Sequence, residues 1–100
     1  MFETQDQVIE FMSKHFGYCE CHDLEAVATV LIGALTWLSK SIKDREEYDT
    51  VFENTGMFYI IVGILEKAGL AEHGVSADYA LITPQGVELL SALEKMKKDF

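Results

Sequence analysis

Basic residues are scarce in this chain of 100 residues. Eight Lys and Arg stand against 17 Asp and Glu, and Arg45 is the single arginine. A formal charge of −9 and a pI of about 4.6 repel nucleic acid and anionic membrane at long range. Long hydrophobic runs are also missing. The longest uncharged stretch, Ala26 to Ser39, falls short of the roughly 20 apolar residues that a bilayer span needs, so no membrane partner is expected. Cysteine is limited to Cys19 and Cys21, one residue apart, which is not a disulfide framework. No repeat, linker or low-complexity segment occurs, and no phosphate loop, GxGxxG or HExxH is present. Met1-Phe2-Glu3-Thr4-Gln5-Asp6 lacks the basic start and apolar core of a secretory leader, and a cytoplasmic location is expected.

What is present is apolar and helical. Hydrophobic residues make up 49%, at the top of the ordinary range, and the length suits one domain over residues 1–100. Such a chain buries roughly 65% of its unfolded surface without staples. Thr4 to Gln7 reads as a capping box opening a first helix, with Val8, Ile9, Phe11, Met12 and Phe16 on a broad face and Gly17 closing it. Asp23 can cap a second helix running to about Ile42 or Lys43, with Lys40 and Lys43 matched to the negative end of its dipole. Leu24, Val27, Leu31, Leu35, Leu38 and Ile42 form one stripe of it. Ala26, Val30, Gly33 and Trp37 form a second face. A helix apolar on both sides is buried on both sides, and a domain this small has few elements to enclose it. A homodimer through Ala26, Val30, Gly33 and Trp37 is the expectation, with Trp37 as the aromatic anchor.

The charged segment Asp44 to Asp49 separates this helix from a third, expected at about Val51 to Ala68 with Phe52, Phe58, Val62 and Leu65 inward. Gly69 sits where a C-cap glycine stops a helix in the left-handed conformation. Leu70 to His73 and Ala77 to Ile82 read as two short strands around Gly74-Val75-Ser76. Thr83 is a good N-cap and Pro84 falls at the first helical position. Val87, Leu90, Leu93 and Met96 then recur at helical spacing, widened by Leu89 and Ala92. The order helix, Ala68-Gly69-Leu70, hairpin, Ile82-Thr83-Pro84-Gln85-Gly86, helix resembles the second half of a winged-helix domain. The usual lysine after the proline is Gln85 here. The resemblance implies a winged-helix-like scaffold, mainly α with a small β-hairpin. It also implies that the third helix stands where a DNA-binding relative keeps its recognition helix.

Side chains for DNA contact are sparse at that place. Groove and phosphate contacts need Arg, Lys, Asn or Gln. The third helix offers Glu53, Asn54, Thr55 and Gly56 at its start and only Lys67 at its far end, and the wing from His73 to Asp78 has no Lys or Arg. Lys95, Lys97 and Lys98 end the last helix as solvated dipole partners. DNA is therefore not an expected partner, and a protein partner is. His15, Cys19, Cys21 and His22 are metal-capable, but Cys-x-Cys-His lacks the usual cysteine gap and a second ligand pair. The expectation is that Cys19 packs as a small hydrophobe and that no metal or cofactor is held. Glu46 with Glu47, and Asp49 with Glu53, read as a solvated face rather than as a general acid and base. The chain reads as a non-catalytic interaction or dimerisation module, with a DNA-binding winged-helix regulator as the alternative.

Two substitutions test the helix stops. Thr83→Ala should cost roughly 1 kcal/mol in urea unfolding through its lost cap. Gly69→Val should cost more, because a β-branched residue resists positive φ. A Gly69→Val variant as stable as the parent would remove Gly69 as a helix stop.

Overall fold

A side-chain cap opens each of the four longest helices. In the computed structural model, residues 2–72, 74 and 79–99 are described. Helix α1 spans Gln5–Phe16. Gln7 donates its N–H to Thr4 Oγ1 at 3.2 Å, and Gln7 Oε1 accepts from Thr4 N at 3.0 Å, completing the box. Gly17 closes the helix at φ 69°. Helix α2 spans Leu24–Ser39, and Asp23 Oδ1 accepts from Ala26 N. Helices α3, Tyr48–Phe52, and α4, Thr55–Lys67, follow. Strands β1, Ala71–Glu72, and β2, Leu81–Ile82, pair antiparallel with Ala71 opposite Ile82 and Glu72 opposite Leu81. Helix α5 is Pro84–Lys97. The fold is mainly α with a small hairpin, as expected. Both strands are shorter than the sequence suggests, and the tip residues 73 and 75–78 lie outside the described residues.

Helix α2 ends three or four residues before Ile42 or Lys43. Lys40 turns extended at ψ 151°, and a short 3-10 turn covers Ile42–Asp44. Ser39 Oγ bonds back to Thr36 O at 2.6 Å, and Ser41 Oγ reaches Asp44 Oδ2 at 2.5 Å. Such side chains offer the backbone an alternative to the helix. The turn brings Arg45 back under the helix end. Its Nη2 donates to Leu38 O at 3.0 Å and to Ala80 O at 2.7 Å, its Nε donates to Lys40 O at 3.2 Å, and its Cζ lies 4.6 Å from the centroid of the Trp37 ring. The cation at the negative end of α2 is therefore Arg45, not the expected lysines; no basic residue lies in the last turn. Burial lowers the pKa of Arg45 by desolvation, and carbonyls and an aromatic face replace the lost water.

The expected third helix is broken in two. Glu53 sits at φ 69°, and Asn54 N donates to Phe52 O at 2.8 Å across it, which is the geometry of a γ-turn. Asn54 then caps α4, its Oδ1 accepting from Met57 N at 2.9 Å. The inward residues Phe52, Phe58, Val62 and Leu65 are buried as expected. Helix α5 is rotated slightly from the expected stripe: Gly86, Leu89, Ala92, Leu93 and Met96 are buried and Val87 is exposed. The cause lies at the helix start. Thr83 donates its N–H to Leu70 O at 3.0 Å and its Oγ1–H to Gly69 O at 2.7 Å, which pins the first turn on the chain after α4. A Cβ on Gly86 would collide with Leu70 O and fall 2.6 Å from Ile82 Cγ1.

Helix α2 lies along α5 and also meets β2 and α3. Ala28, Leu31, Ala34, Leu35, Trp37 and Leu38 are all buried within the one chain. The expectation that a single subunit cannot enclose this helix is corrected: α5, α3 and β2 cover both its apolar sides, except around Ala26 and Val30.

Arg45→Ala should lower the unfolding free energy by about 3 kcal/mol, because it strips a charged donor from several carbonyls. Arg45→Lys should recover less than half, since an ammonium lacks the fork. Urea titration followed by far-UV circular dichroism measures both. An Arg45→Ala variant within experimental error of the parent would contradict the clamp.

Candidate functional site

Two regions bring together side chains beyond what the core requires. The first is the connection between α1 and α2. Tyr18 is buried and anchors it, whereas Cys19, Glu20, Cys21 and His22 are exposed. His22 N donates to Cys19 O at 2.9 Å, closing the turn. Cys19 N donates in return to His22 Nδ1 at 3.2 Å. Cys19 and Cys21 form a disulfide, and the Cys19 sulfur lies 3.8 Å from His22 Nδ1 and 3.9 Å from Nε2. The ligand atoms of Cys19, Cys21 and His22 all fall within 4.8 Å of one another. Two expectations are corrected here: Cys19 does not pack as a small hydrophobe, and the adjacent cysteines do pair. The physical reason is the turn itself, which returns the chain so sharply that both sulfurs emerge together. His15 belongs elsewhere, its ring 4.3 Å from that of Phe11.

The second region is apolar surface on α2 and α4. Of the four expected interface residues, Ala26 and Val30 are exposed. With Phe16, Val27 and Leu31 they line an open apolar depression of roughly 320 Å³. Gly33 is half-buried, and a Cβ there would meet Val51 Cγ1 at 3.8 Å. Trp37 is 4% exposed, donates Nε1–H to Glu46 O at 2.9 Å, and meets Phe52 and Phe58 edge-on at 5.4 Å. The four do not share a surface, and Trp37 is not an exposed anchor. Aromatic neighbours from α3 and α4 claim it, because the break at Glu53 folds α3 back against α2.

Larger apolar side chains stand on α4. Met57, Tyr59, Ile60 and Ile64 are exposed, Ile60 at 60%. Nothing from Asn54 through Leu65 carries a charge. A Cβ built on Gly63 would meet nothing within 4 Å, so no packing inside the chain requires a glycine there. Sequence reasoning missed this face because it sought the inward stripe. The signal available was a set of β-branched residues on the opposite side of the helix.

Charged groups do not converge. Among the described residues no polar or charged side chain is buried. Lys40 pairs with Glu46 at 3.1 Å on the surface. The one basic residue of α4 is Lys67, in its last turn, and Arg45 is committed to main-chain carbonyls. No helix among the described residues is long and apolar enough to cross a membrane. No family model, curated protein or solved structure matches this chain.

Fluorescence anisotropy with duplex DNA at physiological salt should show no binding up to tens of micromolar protein. Micromolar affinity with a steep salt slope would mean that a basic surface exists after all.

Proposed function

We propose that the chain is a non-catalytic protein-interaction module on a winged-helix-like scaffold, acting as a homodimer through the outer face of α4. The observation that carries this reading is an uncharged helix face in a chain of net charge −9, with Met57, Tyr59, Ile60 and Ile64 open to solvent. At 100° per residue, Tyr59, Gly63, Ile60, Ile64 and Met57 follow one another round a single arc, opposite the buried Phe58, Val62 and Leu65. Contiguous apolar patches of this kind on soluble proteins mark interaction sites. Gly63 supports it: a mid-helix glycine costs roughly 1 kcal/mol relative to alanine, and close approach of another helix offsets that cost. Two copies of this face meet without like-charge contact, and two-fold dimers are the commonest closed assembly. Removal of Trp37 from the α2 surface leaves Ala26 and Val30 a secondary role. A DNA-binding regulator on the same scaffold requires basic side chains beside α4, and Lys67 alone does not supply them.

Sedimentation equilibrium at low micromolar concentration should give twice the chain mass of 11.3 kDa. Ile60→Glu should return it to one chain mass with its helical content intact, while Val30→Glu should not. A parent species at one chain mass would sink the dimer. Dissociation by Val30→Glu but not by Ile60→Glu would move the contact to α2.

A further inference from the structure

We propose that the turn Cys19-Glu20-Cys21-His22, once its disulfide is reduced, is a three-donor site for a soft monovalent cation of the Cu⁺ class. The disulfide is then its empty, locked form. The donor set is two thiolates and one imidazole, the ligands that soft metals select. Their ligand atoms lie within 4.8 Å of one another, close enough for one ion to reach once the sulfurs part. Metal–sulfur bonds of about 2.3 Å and metal–nitrogen bonds of about 2.0 Å set sulfur and nitrogen about 3.7 Å apart and the two sulfurs about 4.0 Å apart in a trigonal plane, so the sulfurs move apart on reduction. Cys19 Sγ lies 3.8 Å from His22 Nδ1 and 3.9 Å from Nε2, so the separation is met and the ring turns to present a nitrogen lone pair to the ion. Nδ1 accepts the Cys19 N–H, so its lone pair faces into the turn rather than away from it. A cation takes that lone pair in place of the backbone donor.

The rest of the connection is fixed independently of the sulfurs. Gly17 closes α1, Tyr18 is buried, and Asp23 caps α2. The three ligands are exposed, so a cation reaches them without opening the core. No fourth donor belongs to the cluster among the described residues, which favours a trigonal ion over tetrahedral Zn²⁺.

The redox step balances with a dithiol as reductant. The Cys19–Cys21 bond accepts two electrons and two protons, two thiols form, and the reductant closes its own disulfide. Cation binding then releases the thiol protons to solvent. Oxidation of the pair by a disulfide reverses the step and expels the ion.

The test is anaerobic competition for Cu⁺ against its coloured bicinchoninate complex. The reduced parent should withdraw one equivalent. Cys19→Ser and Cys21→Ser should withdraw none, and His22→Ala should bind at least tenfold more weakly. The oxidised parent should withdraw none until it has been reduced by a dithiol that is then removed by gel filtration. Circular dichroism should show all variants folded, since no ligand lies in the core. Competition by Cys21→Ser equal to the parent would overturn the site, as would equal binding by oxidised and reduced protein. Stronger retention of Zn²⁺ than of Cu⁺ would overturn the three-donor assignment.

Discussion

One guanidinium holds the end of α2, the irregular segment after it and the start of β2 in a single arrangement. Arg45 reaches carbonyls at Leu38, Lys40 and Ala80, while its Cζ lies over the Trp37 ring. Taking a charge out of water is costly unless hydrogen bonds replace the lost solvation. Here the orphan carbonyls of a helix terminus do so, and they gain a donor in return. The arrangement also explains the aromatic box. With Arg45 on one side of the indole and Glu46 O accepting from its N–H, the other edges of Trp37 are left for Phe52 and Phe58. Tyr48 stacks on Phe58 at 4.9 Å and carries α3 with it.

Features set by neighbours in sequence were legible, and features set by this clamp were not. The caps at Thr4, Asp23 and Thr83, and the glycine stops at Gly17 and Gly69, depend on residues at most a few positions away. The end of α2 depends on a contact with Ala80, 35 residues beyond Arg45. Periodicity carries no trace of it, and continued the helix through Ile42. The break between α3 and α4 had a local signal in Asn54, an N-cap residue type, but the apolar pattern running across it hid the cap. The slight rotation of α5 followed from Gly86 under Leu70, a tertiary contact. At the candidate site, the metal-capable residue types were visible in sequence. Their convergence was not, because it rests on the reciprocal bonds between Cys19 and His22. Trp37 was misplaced for the same reason as α2: its side of the helix is apolar, and periodicity does not say which apolar side is covered by the chain itself.

The distribution of charge separates the two surfaces. Acidic side chains crowd the segment from Asp44 to Glu53, whereas α4 presents none until Glu66. A large negative charge keeps chains apart in general. An uncharged face within such a surface marks the direction from which approach is least opposed. The Cys19–His22 turn joins α1 to α2, whereas the uncharged face belongs to α4, so the two features arise from different segments of the chain.

The burial of Trp37 has a spectroscopic consequence. The chain holds one tryptophan, so all indole emission comes from the junction of α2, α3 and α4. The emission reports whether Arg45 still covers the ring and whether the phenylalanine edges remain in place. Detachment of α3 from α2 would therefore shift the emission to the red before helical content falls, resolving local opening from global unfolding in one sample.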